Sequence, residues 1–389
     1  MQGLYIHVPF CPTLCPYCDF HVVRRYGGVV GAYLERLAEE ARTLYRHFPQ
    51  PLTTVYFGGG TPSFLRNREL EQLFGALPWD INRAEVTMEA NPGTLSTERL
   101  QLLRDHGVNR LSIGVQSFQE GVLKTLGRAH GRKGALRAVE LSLEAGFDTS
   151  VDLMLGLPAQ NVEADLQLAA HLDTGHVSAY TLQIEPGTPF AVNRVHLDED
   201  AEATALKLAE EVLGQAGFAR YEVSNFAKPG QESQHNRLYW QLGFWGALGP
   251  GATGQLEPTA ATSLASLSPL LKSAEGEVYA LRTTNPPLPR WLQGEEAVVE
   301  AISPLEHARE ALMLGLRLRE GVDLGRIEQR TGLDLWNHLK SEIGHMAREG
   351  DLRVEGKHIQ AKNLNTIHPL ILRLWNALDS TSQPGTAPH

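Results

Sequence analysis

Apolar and polar positions change rhythm repeatedly along the first half of the chain. Short β-rich runs at 4–8, 53–57, 85–89, 110–115, 149–153 and 176–184 alternate with stretches of helical periodicity. The clearest helical stretch covers 32–48, where Tyr33, Leu34, Leu37, Ala41, Leu44, Tyr45 and Phe48 share one face. Two more, 96–106 and 132–145, carry their own punctuation. Ser96 offers an N-cap, and Gly107 and Gly146 stop the turns. Strands alternating with helices imply right-handed βαβ units on a parallel sheet.

Six such units are too few for a closed eight-stranded barrel, and an open doubly wound sheet is the competing architecture. Polar residues separate the two. Gly58, Gly59, Gly60 and Thr61 follow the second strand, while Glu89, Gln116 with Ser117, Asp152 and Glu185 sit at or near the C-terminal ends of others. A barrel converges all those ends on one mouth, whereas a doubly wound sheet gathers only the pair at its switch point. The expected fold class is therefore α/β, a partial (β/α)6 barrel.

The alternation fades from about residue 190. Residues 198–216 read as a long helix and 219–226 as a strand, and the Gly-, Pro-, Ser- and Thr-rich stretch 250–290 as loops with two short strands. Helices at 306–319 and 335–349 followed by a hairpin at 352–360 have the order of a winged-helix-like α+β appendage. The expected division is a barrel over 1–190, an α/β extension over 191–300, a helical, winged-helix-like region over 301–379 and a disordered tail over 380–389.

Composition narrows the functional classes. A formal charge of −10 over 389 residues opposes nonspecific nucleic-acid binding, since nothing offsets repulsion from phosphates. The first residues lack the basic and apolar regions of a secretory signal, and no apolar run is long enough to span a bilayer. The expected location is the cytoplasm, which the cysteine usage also suits.

Every cysteine falls in one short loop after the first strand, as Cys11, Cys15 and Cys18. Soft thiolates select iron–sulfur clusters, zinc or copper(I). Three thiolates would leave one iron of a four-iron cubane open to a non-protein ligand. The rival is a structural zinc ion completed by His21 or His7. Structural zinc usually pins small domains with separated ligand pairs, so a single loop in a large domain favours the cluster.

At this point the motifs carry a resemblance. Tyr5-Ile6-His7-Val8-Pro9-Phe10-Cys11 and Cys15-Pro16-Tyr17-Cys18-Asp19-Phe20 resemble the signature of the radical S-adenosylmethionine (SAM) superfamily. Within it they are similar to the branch holding the oxygen-independent coproporphyrinogen III dehydrogenases and the HemW heme chaperones. The resemblance implies a partial barrel of radical SAM type. It also implies a 4Fe-4S cluster on Cys11, Cys15 and Cys18 whose open iron binds S-adenosylmethionine. Gly59, Gly60 and Thr61 match the loop that holds the methionine amino group. By position, Glu89, Gln116, Arg128 and Asp152 would contact the adenosyl or methionine parts, with Tyr5 and Tyr17 flanking the cluster. Singly, each is more often an ordinary surface or hinge residue. The motifs around them match in order and spacing.

Two readings follow from the resemblance, a heme chaperone and a radical oxidoreductase acting on coproporphyrinogen. The dehydrogenases carry a fourth cysteine where this chain has Phe20, and an N-terminal arm before the first strand; both differences favour the chaperone. Gln234-His235-Asn236-Arg237-Leu238-Tyr239-Trp240 resembles the His-Asn-x-x-Tyr-Trp motif of the heme chaperones, which makes His235 a candidate axial ligand of heme or else a hydrogen-bonded structural residue. Thr253 stands where family members usually have a histidine. The implied partners are heme and an acceptor hemoprotein of respiration, with room for a homodimer and peripheral membrane contact. For the last, residues 306–319 bear Ala308, Leu312, Leu316 and Leu318 among arginines, a pattern that suits a membrane surface or a core-packed helix.

Overall fold

The structure, a computed structural model, describes residues 1–257 and 278–379. Its strands are β1 (Gly3–Val8), β2 (Phe10–Cys11), β3 (Val23–Arg24), β4 (Thr54–Gly59), β5 (Glu85–Ala90), β6 (Arg110–Gln116), β7 (Asp148–Leu155) and β8 (His176–Thr181) in the first half. There follow β9 (Ala219–Arg220), β10 (Asn225–Ala227), β11 (Trp245–Leu248), β12 (Thr253–Leu256), β13 (Ala280–Thr284) and β14 (Val298–Ile302). The last three are β15 (Val322–Asp323), β16 (Leu352–Glu355) and β17 (His358–Ala361).

Strands β1, β4, β5, β6, β7 and β8 lie side by side in chain order, each parallel to the next. An order that never reverses has no switch point, so the sheet curls one way as a partial barrel. The pleat then sorts the side chains. Leu4, Ile6, Val8, Val55, Phe57, Val86, Met88, Leu111 and Ile113 face the helices and join the main core. The alternate positions Tyr5, His7, Tyr56, Glu89, Ser112, Gln116 and Asp152 are left for the lumen. On the helical side, Tyr33 and Leu37 of the helix Val29–His47 are wholly buried in that core.

Several details differ from the sequence reading. The run 219–226 is not one strand: it breaks into β9 and β10, an antiparallel pair that closes the β8 edge. At the other edge β11 pairs in parallel with β1, and β12, β13 and β14 extend the sheet antiparallel beyond it. That edge pairing joins segments more than two hundred residues apart, which no local pattern announces. The strand expected over 176–184 stops at Thr181. The expected disordered tail over 380–389, and part of the loop region 250–290, lie outside the described residues.

The C-terminal segment builds a second core. Ala308, Leu312, Leu316, Ile327, Leu339, Ile343 and Leu374 form a cluster of their own. The helices Pro304–Gly315, Leu324–Thr331 and Leu335–Glu349 precede the β16–β17 hairpin, and β15 completes a small sheet, a winged-helix-like order. The helix expected over 306–319 stops at Gly315, and Ala308, Leu312, Leu316 and Leu318 all lie in protein interior at 0–3% exposure, so these apolar residues are core and not a membrane face. Among the described residues, no helix is long and apolar enough to cross a membrane.

Candidate cofactor site

The cysteine loop leaves the C-terminal end of β1 and is tied down at both ends. Phe10–Cys11 pairs with Val23–Arg24, and the Cys18 amide bonds the Cys15 carbonyl at 3.2 Å. The glycine loop after β4 is stitched to it: the Gly60 amide donates to the Val8 carbonyl and the Thr61 amide to the Phe10 carbonyl, each at 2.9 Å. The Thr61 hydroxyl reaches Cys11 Sγ at 3.6 Å. No side chain fits between the loops. A first carbon on Gly59, whose φ is +102°, would lie 2.3 Å from the His7 ring, and one on Gly60 would lie 2.8 Å from the Val8 carbonyl oxygen.

Over these loops opens a cavity of about 430 Å³ at the C-terminal mouth of the barrel. Cys11, Cys15, Cys18, Tyr17, Gly59, Gly60, Thr61, Glu89, Gln116, Arg128 and Asp152 all line it. His130, the end of the motif 127–130 that carries Arg128, lines it too. Ser112 and Tyr180, which the sequence did not single out, are each one polar residue on a strand, a signal too weak to read alone. Phe20 stands at the rim, 63% exposed.

The polar side chains are held by one another. Glu89 accepts from the Tyr56 hydroxyl at 2.9 Å and the Gly59 amide at 3.0 Å, and burial pushes its pKa up to about 7. Asp152 accepts from the Ser112 hydroxyl at 2.9 Å, and its pKa is also raised by burial. Gln116, at a φ of +70° that is rare outside glycine, accepts from the Tyr180 hydroxyl at 2.8 Å. Burial works against the Arg128 charge, but Tyr17 and Cys15 beside it outweigh that and raise its pKa. Burial and then Arg128 push the His130 pKa down to about 4. The Cys11 thiol is pushed up to about 11, first by burial.

Do these residues fit a cluster with adenosylmethionine? Arg128 Nε is buried without a hydrogen-bond partner, in the cavity that the three thiols line. Such an orphaned group in a cavity calls for a polar ligand. The donor set matches as well: soft thiolates for iron, Glu89 and Asp152 for an amino group or ribose hydroxyls, and Arg128 for a carboxylate. The volume lies in the range of small-molecule sites. The fit is good.

The zinc rival fares worse. Both nitrogens of His7 are engaged, Nδ1 with the Tyr5 hydroxyl at 3.0 Å and Nε2 with the His21 carbonyl at 2.9 Å. The His21 ring packs over Gly251, where a side chain would come within 2.6 Å.

Two expected site residues stand elsewhere. Tyr5 does not line the cavity; it stacks on Tyr56 at 6.2 Å and hydrogen-bonds His7, behind the glycine loop. His235 lies at the opposite ends of β1 and β4, wholly buried. Its Nδ1 pairs with the Thr54 hydroxyl at 2.9 Å, its Nε2 with the Tyr239 hydroxyl at 2.8 Å, and its ring stacks on Tyr56. With both nitrogens bonded inside the core, His235 has no free nitrogen for heme iron. The Glu85 carboxylate caps this helix by accepting from the Gln234 and His235 amides. Thr253 is in β12, bonded to Thr284, and does not line this cavity.

Comparisons with known proteins agree with this geometry. Residues 5–172 match the radical SAM superfamily, and residues 302–363 match the HemN C-terminal domain. The chain is 34% identical to the heme chaperone HemW of Bacillus subtilis, over 90% of this chain and 92% of that protein. It is 40% identical to the Escherichia coli heme chaperone HemW, over 65% of this chain and 70% of that protein. Against the mouse mitochondrial radical S-adenosyl methionine domain-containing protein 1, identity is 35% over 98% of this chain and 89% of the relative. Coproporphyrinogen III oxidase (HemN) from Escherichia coli shares the fold, with a TM-score of 0.76 at 21% identity, over 98% of this chain and 90% of that one. A likeness that runs through both the barrel and the C-terminal segment places the chain in the HemW heme chaperone family, within the radical SAM superfamily.

Proposed function

We propose that this chain is a heme chaperone: it binds heme, carries a 4Fe-4S cluster with S-adenosylmethionine, and passes heme to acceptor hemoproteins. The observation that carries the reading is the end-to-end similarity to a relative named as a heme chaperone, covering 92% of that protein. When bound, the reduced cluster supplies an electron to the sulfonium of adenosylmethionine. The chain's own part is to hold and orient. Cys11, Cys15 and Cys18 hold the cluster, Gly59, Gly60, Thr61 and Glu89 the methionine end, Arg128 a carboxylate, and Gln116 and Asp152 the nucleoside.

The acceptor we favour is a respiratory hemoprotein reached from the cytoplasmic side of the membrane. We also propose an organisation of barrel over 1–190, extension over 191–300 and C-terminal unit over 301–379. The separate second core and the family match at 302–363 support that division.

A heme titration of anaerobically reconstituted protein, followed by the Soret band, tests the reading. Saturation at one heme per chain is expected. A linear, unsaturated response, together with turnover of coproporphyrinogen III in the presence of adenosylmethionine and a reductant, would favour the oxidoreductase instead.

A further inference from the structure

A second cavity, of about 490 Å³, lies where the helix Gln234–Trp240 meets the C-terminal unit. The helix explains how. Residues three and four apart share a face. His235, Leu238 and Tyr239 face the barrel: the histidine bonds Thr54, and Leu238 seats against Gly3 and Gly243. Arg237, Trp240 and Gln241 face the other way and line the cavity. The aromatic motif is thus split, its histidine given to the core and its tryptophan to the cavity.

Across from Trp240 stand the helices Pro304–Gly315 and Leu324–Thr331. Ala311, Leu318 and Ile327 supply apolar wall, and His307 and His358 supply two imidazoles. His307 is 1% exposed, its ring stacks on Tyr279 at 3.7 Å between centroids, and its Nδ1 has no hydrogen-bond partner. An imidazole is a common ligand of heme iron. The lining holds three guanidiniums, of Arg237, Arg326 and Arg330, against two carboxylates, of Glu320 and Asp323. Arg237 is paired with Glu320 at 2.7 Å. Arg326 meets Asp323 only at 3.8 Å and is 81% exposed, a pair easily exchanged, and Arg330 hydrogen-bonds the Tyr279 hydroxyl.

An aromatic face, apolar wall, an unpartnered buried imidazole and a cationic rim are what a flat apolar ring with iron at its centre and carboxylates at its edge requires. We propose that this second cavity is the heme site: Trp240 packs on the macrocycle, His307 takes the iron, and Arg326 and Arg330 receive the propionates. This deepens the chaperone reading and rests on it. It also separates the two cofactors, leaving the barrel mouth to the cluster and adenosylmethionine.

The test is the same heme titration run on His307→Ala and on the double variant Arg326→Glu/Arg330→Glu, with cluster iron and circular dichroism recorded for each. We expect a shifted Soret band and a Kd raised about tenfold or more for His307→Ala, and a Kd raised about tenfold for the arginine pair, both with wild-type iron content. Both arginines are exposed, so the double variant decides the matter even if His307→Ala fails to fold. Wild-type binding with unchanged Kd in the arginine variant, and an unchanged Soret band in any folded His307→Ala, would overturn this site and leave the chaperone reading standing. Absence of saturable heme binding in the wild type would overturn both.

Discussion

Glu89, at the end of β5, accepts a hydrogen bond from the Gly59 amide at 3.0 Å, which locks the glycine loop onto the neighbouring strand. The bond joins two elements of the cofactor cavity. Burial raises the pKa of the Glu89 carboxyl, and that has a measurable cost.

Glu89 should make the ligand-free protein less stable as pH rises. A carboxyl whose pKa is raised by burial from 4.5 to about 7 favours the fold in its protonated form. Its contribution is full below about 4.5 and is lost as pH climbs through about 7. The displacement corresponds to about 3 kcal/mol. Relative to wild type, Glu89→Gln should gain melting temperature between about pH 5 and about pH 8. Glu40 and Glu222, also buried and pushed to about 7, are present in both proteins and cancel. Parallel curves would show that Glu89 is not the titrating group.

Cys11→Ser should abolish the cluster. With only three thiolates in the chain, losing one removes at least about a third of the protein's hold on iron. Iron and sulfide analysis after anaerobic reconstitution measures this. Full iron content in the variant would exclude Cys11 as a ligand.

Gly59→Ala should destabilise the fold and empty the site together. The backbone sits at φ +102°, and the added carbon would be 2.3 Å from the His7 ring. Strain of this kind costs about 1–3 kcal/mol, before the displacement of His7 is counted. Chemical denaturation gives the loss of stability, and equilibrium dialysis with adenosylmethionine gives the loss of binding.

His235→Ala should lower stability and leave the heme spectrum alone. The substitution opens a cavity in the core and strands the hydroxyls of Thr54 and Tyr239, at a cost of about 2–4 kcal/mol. Thermal melting and the Soret band, read on one sample, separate the two effects. A changed Soret band in a fully folded variant would return His235 to the heme site.

The barrel was legible in the sequence because β-rich runs alternate with helical stretches, and because the strand ends carry Gly59, Glu89, Gln116 and Asp152. The cluster was legible for a different reason: thiols in so tight a spacing leave few other uses. The β1–β11 pairing was not, since Trp245–Leu248 looks like any short apolar run until β1 is beside it. Nor could the motif 234–240 disclose which residue meets a ligand. Sequence shows a histidine next to aromatics, whereas the turn of the helix decides that His235 points at Thr54 and Trp240 into a cavity. Ser112 and Tyr180 went unread because a single polar side chain has no pattern to betray it.

The most direct test of the chaperone account is transfer. Heme-loaded protein, freed of excess heme, is mixed with an apo-hemoprotein, and the Soret bands of donor and acceptor are followed after separation. The account predicts that the acceptor gains the heme the chain loses, faster than it gains heme left bound to an unrelated carrier. Heme that stays on the chain, or arrives no faster than from that carrier, would contradict it.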